Sequence, residues 1–215
     1  MRIKEIMTKN PVAVTADINI LEAKELLKKE KIHRLPVTDS QGKIQGIIAE
    51  KDLLYVSPSP ATTLNVYEMA GLLSKVKVRD IMTKDVITVN PESYIEDAAR
   101  IMVDNNIGGL PVCMDDGLLV GIVTESDIFK RFVELFGTRK KGVRLTAVLP
   151  ERKGELADIS SVIANAGGNI ISIATFLGET SQESLCIIKI EGLEENEVRK
   201  VTAPYLEKLV DIATV

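Results

Sequence analysis

The sequence predicts an α+β protein in which one β-α-β-β-α unit is repeated in tandem and followed by a β-α-β-β-α-β module of different character. Three observations predict it. Laid on itself with an offset of 75 residues, the chain matches 3–54 against 78–129 without a gap, and 16 of the 52 aligned positions are identical. A match over a whole unit marks a duplicated structural module. Within each copy, apolar residues at helical spacing alternate with short β-rich runs. Beyond residue 137 the repeat stops and a new series of strands and helices begins.

Each copy opens on "IMTK", in which Ile6 and Met7 read as core and Thr8, Lys9, Thr83 and Lys84 remain polar. A short strand follows, "PVAV" or "VITV". Ile20, Leu21, Ala23, Leu26 and Leu27 then recur at helical spacing, with Thr15 and Asp17, or Asn90 and Ser93 in the second copy, as capping acceptors. "RLPVTD" and "GLPVCM" read as short strands, and their prolines suggest an edge position because proline cannot donate to a ladder. Turns at "DSQGK" and "DDG" lead into "IQGIIAE" and "LVGIVTE". A second helix starts at Lys51 or Ser126. The copies span 1–58 and 78–137, joined by a connecting segment 59–77 that carries a further helix at 64–75.

A basic stretch, 138–142 within "GTRKKG", reads as a linker or as a phosphate-binding patch. The rest, 143–215, predicts strand 143–149, turn 150–153, helix 154–166, strands 169–177 and 184–191, helix 194–208 and strand 209–214. Leu156, Ile159, Val162 and Ile163 share a helix face, and Gly167-Gly168 end that helix. This order suggests a ferredoxin-like sandwich.

Composition narrows the function classes. Apolar residues make up 45% and charged residues 27%, ordinary for a soluble globular protein, and with aromatics at 4% and no Trp the core must be aliphatic. A net charge of −4 and the lack of a helix-turn-helix signature argue against direct nucleic-acid contact. Cys113 and Cys186 lie in apolar runs and read as reduced core thiols; one histidine and no CxxC leave no metal site. No apolar leader and no long apolar run occur, so a cytoplasmic protein without membrane insertion is expected. No nucleophile elbow, P-loop, GxGxxG or His/Cys cluster is present, so no enzyme activity is expected.

The paired units resemble a tandem of cystathionine-beta-synthase (CBS) domains, a Bateman module. The resemblance rests on "IMTK" at each unit start, "LPV" before the hairpin, and Gly-apolar-apolar-small-x-x-Asp leading into the second helix. It implies two units packed about a pseudo-twofold axis, with two clefts that take an adenosyl ligand: AMP, ADP, ATP, S-adenosylmethionine or NAD. No cofactor is required.

At the positions that match, Asp52 and Asp127 would accept from a ribose diol, and Thr124 would add a hydroxyl that Ala49 lacks. Gly46 and Gly121 would let a ligand approach the backbone. His33-Arg34 would grip phosphate where the second copy has Gly108-Gly109. One cleft would gather Thr8, Lys9, His33, Arg34 and Leu35 around Gly121, Ile122, Thr124 and Asp127; the other would use Asp52 and Thr83. The first is favoured for a nucleotide. Two readings stay open: both aspartates could be helix caps, and His33-Arg34 a solvated surface pair.

The C-terminal module resembles an ACT domain, on "LPERKGELADI" and "AGGNIISI". Lys153-Gly154 stands where that family shows Pro-Gly, which keeps the turn and loses its rigidity. The resemblance implies pairing of domains and an amino-acid site at Gly154, Glu155, Leu156 and Asn169. The order CBS–CBS–ACT resembles the acetoin-utilisation B-type regulatory proteins. It implies a regulatory homodimer, paired through its CBS and ACT domains, that acts on an unidentified regulated protein.

Overall fold

A computed structural model describes residues 1–56, 71–178, 180 and 183–215. The chain divides into two compact units, Met1–Ile128 and Phe129–Val215. Most of the connecting segment lies outside the described residues; the described end of its expected helix, 71–73, is helical.

In the first unit the two copies fold alike. The first contributes β1 (Thr8–Lys9), α1 (Ile20–Glu30), the hairpin β2 (Arg34–Thr38) and β3 (Ile44–Ala49), and α2 (Glu50–Tyr55). The second contributes the short α3 (Val78–Ile81), α4 (Ile95–Asn105), the hairpin β4 (Gly109–Cys113) and β5 (Leu119–Thr124), and α5 (Glu125–Leu135), which runs on across the unit boundary. The turn glycines Gly42 and Gly117 sit at φ 78° and 85°, where a Cβ would be strained.

Three local expectations change. "PVAV" and "VITV" form no strand: each makes a single parallel bridge, Val14 to Val37 and Val89 to Val112. This one-residue contact is compatible with Pro36 and Pro111, which cannot supply a ladder donor. The cap of α1 is Asn19, whose Oδ1 accepts from Glu22 N at 2.9 Å, because the bridge from Asn19 to Lys77 fixes where the helix begins. The cap of α4 is Tyr94, which makes no side-chain cap bond; Arg2 stacks over its ring at 4.1 Å. The second helices start one residue earlier than expected, at Glu50 and Glu125.

The opening segments are exchanged between the copies. Ile3, with Ile6 and Met7, packs into the core of Val89, Ala98, Leu110 and Val123. Val78, with Ile81 and Met82, packs into the core of Val14, Ala23, Leu35 and Ile48. Backbone bonds follow the same swap: Ile3 N donates to Ser93 O, and Val78 N to Ile18 O. β1 pairs with β5, Thr8 beside Ile122 and Lys9 beside Gly121, and Ile47 bridges Thr83 in the mirror position. Burying side chains such as Ile3 and Val78, both 0% exposed, stabilises by about 1.5–3 kcal/mol each.

In the second unit, β6 (Val143–Pro150), β7 (Asn169–Leu177), β8 (Glu183–Glu191) and β9 (Lys208–Thr214) form an antiparallel sheet in the order β7-β8-β6-β9. With α6 (Glu155–Asn165) and α7 (Glu195–Thr202), this is the β-α-β-β-α-β order and sheet arrangement of a ferredoxin-like sandwich. Leu145, Leu149, Ile188 and Ile190 meet Ile159, Ile163 and Val198 on one face. The helix expected over 194–208 stops at Thr202, since Pro204 offers no N–H to continue it. Lys189, only 6% exposed, donates to Gly137 O at 3.0 Å, and Ser172 Oγ donates to Phe136 O. These bonds hold the residues just past α5 within the second unit. No described helix is long and apolar enough to cross a membrane.

A Cβ on Gly121 would meet Met7 Sδ at 2.5 Å and Thr8 O at 3.2 Å. Gly121→Ala therefore presses on the exchanged segment, and denaturation should show a loss of about 1–3 kcal/mol. Burial raises the thiol pKa of Cys113 and of Cys186 to about 11. Both thiols should resist a thiol reagent at pH 8 in the native protein and react once it is unfolded.

Candidate functional site

The site begins where each hairpin runs into its helix. At the start of α2, Asp52 Oδ2 accepts from Ala49 N at 2.8 Å. At the start of α5, Asp127 Oδ2 accepts from Thr124 N at 3.0 Å and from Thr124 Oγ1 at 2.7 Å. Both aspartates thus cap their helices, which is the structural alternative left open above. A carboxylate has two oxygens and several lone pairs, so a cap bond at one oxygen does not exhaust it. Each carboxylate is held in place by the cap at the positive end of a helix.

A cleft of about 820 Å³ opens beside the Ala49/Asp52 corner. His33, Arg34, Ala49 and Asp52 line it from the first copy, and Thr83, Val86 and Ile87 from the second. Gly108, Gly109, Pro111 and Glu125 are among the other residues of its wall. His33 Nδ1 lies 3.0 Å from Glu50 Oε2 in an exposed pair. Arg34 reaches across: a Cβ on Gly108 would meet one of its terminal nitrogens at 2.5 Å, and one on Gly109 would meet its Cδ at 3.4 Å. The missing side chains of Gly108-Gly109 are what make room for that guanidinium.

The structure therefore gathers His33, Arg34, Asp52 and Thr83 in one cleft, on the side without the threonine hydroxyl. Thr8 and Lys9 run beside Ile122 and Gly121, next to Thr124 and Asp127 in β5 and α5. Leu35 is 0% exposed and belongs to the core, so it can offer a ligand only its backbone. Gly121 and Gly46 also have a reason other than a ligand. What approaches their backbone is Met7 or Met82, with a threonine carbonyl behind it.

A family model described as the CBS domain matches residues 3–59 and 78–134. The chain belongs to the CBS-domain family. Three solved structures resemble it. The CBS domain pair of protein MJ0100, in complex with 5′-methylthioadenosine and S-adenosyl-L-methionine, is 33% identical with a TM-score of 0.51, covering 61% of this chain and 99% of that one. A protein assigned to acetoin utilization (AcuB) from Vibrio cholerae is 27% identical with a TM-score of 0.53, covering 65% and 95%. CBSX2 in complex with AMP is 26% identical with a TM-score of 0.54, covering 65% and 99%.

Within this CBS pair, sequence reasoning named the polar groups and missed the apolar wall. Val86 and Ile87 come from the segment expected to be a strand, and Pro111 from the "LPV" motif. Small-molecule clefts are typically lined by such apolar surfaces around a few fixed polar groups.

The residues expected to bind an amino acid do not meet within one chain. Gly154, at φ 95°, turns the chain into α6, with Glu155 and Leu156 in the first turn. Asn169 lies past the other end of that helix, and its Nδ2 donates to Glu191 Oε1 at 2.6 Å. A helix of 11 residues puts roughly 16 Å between the two groups.

Thr124→Ala keeps the backbone cap and removes the hydroxyl bond to Asp127. Chemical denaturation should register about 0.5–1.5 kcal/mol of lost stability, with the fold intact by circular dichroism.

Proposed function

We propose that this chain is a non-catalytic regulatory sensor that binds an adenosyl compound in its CBS clefts and, on binding, changes its contact with a partner protein. The observation that carries the reading is the Asp52 cleft: an anchored carboxylate at a helix start, Arg34 and His33 beside it, and an apolar wall from the other copy. Ribose supplies two donors to Asp52, the purine ring packs on Val86 and Ile87, and a phosphate takes the guanidinium fork of Arg34. Asp127 with Thr124 plays the same role toward ribose in the pseudo-symmetric cleft, facing Thr8 and Lys9. The complexes of related CBS pairs with AMP, 5′-methylthioadenosine and S-adenosyl-L-methionine support an adenosyl ligand. AMP, ADP, ATP, S-adenosylmethionine and NAD are the candidates.

Because the cleft is walled by both copies, a ligand in it bears on their spacing. Transmission requires that the ligand favour one arrangement over another. The proposal extends to a homodimer and to an ACT-type C-terminal module. An amino acid held by Gly154, Glu155, Leu156 and Asn169 needs two copies of the chain, since the groups stand at opposite ends of α6. Nothing in the cleft is specific to acetoin, and acetoin chemistry is no part of the proposal.

A thermal-shift series with the candidate ligands tests it. A ligand that binds only the folded state at a hundred times its Kd adds about 2.7 kcal/mol, which raises Tm by several degrees. The rise should shrink in Asp52→Asn and in Asp127→Asn and vanish in the double variant. No rise with any adenosyl compound at millimolar concentration would overturn the reading.

A further inference from the structure

We infer that a lysine-rimmed pocket beside the Asp52 cleft is a subsite for the phosphate chain of the ligand, so that the chain favours adenosine di- and triphosphates over AMP. The inference rests on the adenosyl reading above. The pocket encloses about 340 Å³ between α1 and α2. The exposed Lys24, Lys28, Lys31 and Leu54 rim it, and the buried Leu27 and Leu53 form its floor. His33 and Glu50 line both this pocket and the cleft, so the two cavities share a wall. Glu50, the carboxylate in that wall, faces His33 Nδ1 at 3.0 Å.

Lys24 and Lys28 stand at i and i+4 on one face of α1, and Lys31 is the left-handed cap that ends it. None of the three is paired with a carboxylate among the described residues. The duplication provides an internal control for what the fold itself demands. The second copy keeps the apolar floor, with Met102 for Leu27 and Ile128 for Leu53. Its rim positions are Ala99, Val103 and Asn106. The last turn of α4 carries no basic residue, so complementing the helix dipole does not require these lysines either. Asn106 even repeats the left-handed backbone of Lys31, at φ 52° against 55°. Packing is therefore served without the charges, and the charges sit only where the phosphate-facing residues His33 and Arg34 sit.

A ribose on Asp52 with its first phosphate at Arg34 leaves any further phosphate to pass His33 toward the lysine rim. Each added phosphate brings negative charge that three ammonium groups can meet. The positively charged tail of S-adenosylmethionine gains nothing there.

Isothermal titration of adenosine, AMP, ADP and ATP into the full chain tests this, without magnesium and at low and high salt. The comparison protein is Lys24→Ala/Lys28→Gln/Lys31→Asn, which gives the rim the neutral character of the second copy. In the wild type ATP should bind more tightly than AMP, and salt should reduce that preference. In the variant the ATP-to-AMP preference should fall by about tenfold, with adenosine affinity unchanged. An unchanged preference overturns the lysine subsite and leaves the adenosyl reading standing. No binding by any of the four overturns both.

Discussion

Ile3 and Val78 change places. Each is buried in the core of the copy that does not contain it, and the rest of the first unit depends on that exchange. Neither copy has a complete core without the other's opening segment. The swap brings β1 to β5 and Thr83 to Ile47, which sets the two hairpins back to back. It also explains Gly46 and Gly121, whose missing side chains admit Met82 and Met7. The tips of the hairpins clasp each other as well: Ile44 N donates to Gly117 O and Leu119 N to Gly42 O, both at 3.0 Å.

The functional consequences follow from what the exchange leaves between the copies. A wall from one copy faces a helix start from the other, so the cleft has an apolar side and a polar corner. Duplication makes two such corners, and divergence has made them unequal. One has Thr124 hydrogen-bonded to Asp127; the other has Ala49 but the better supply of cations in His33 and Arg34. Gly108-Gly109 contribute to this inequality in a physical way, by making room for the Arg34 guanidinium. Just past the helix that starts at Glu125, Lys189 and Ser172 of the C-terminal sheet donate to the carbonyls of Gly137 and Phe136.

Much of the fold was legible because the chain says it twice. Helices, hairpins and turn glycines recur at constant spacing, and chance seldom repeats such a pattern. The exchange was not legible, because Ile3 and Val78 are alike and either could fill either core. Caps were misplaced for the same reason. Asn19 and Tyr94 begin their helices because bridges to Lys77 and Arg2 fix them there, and such bridges are tertiary. At the site, Asp52, Asp127, His33 and Arg34 could be named from motif, whereas Val86 and Ile87 carry no local sign of lining a cleft. The lysine rim becomes visible only when the two copies are compared position by position, with the structure showing that the lysines share a pocket.

The central claim is that a carboxylate anchored at a helix start reads a ribose. The most direct measurement is a calorimetric comparison of adenosine with 2′,3′-dideoxyadenosine on the full chain, since the two differ only in the hydroxyls that Asp52 and Asp127 would accept from. Charge-assisted hydrogen bonds of this kind predict binding weaker by roughly tenfold or more for the dideoxy compound. Equal affinities, or no binding by adenosine, would contradict the account and leave the two aspartates as helix caps alone.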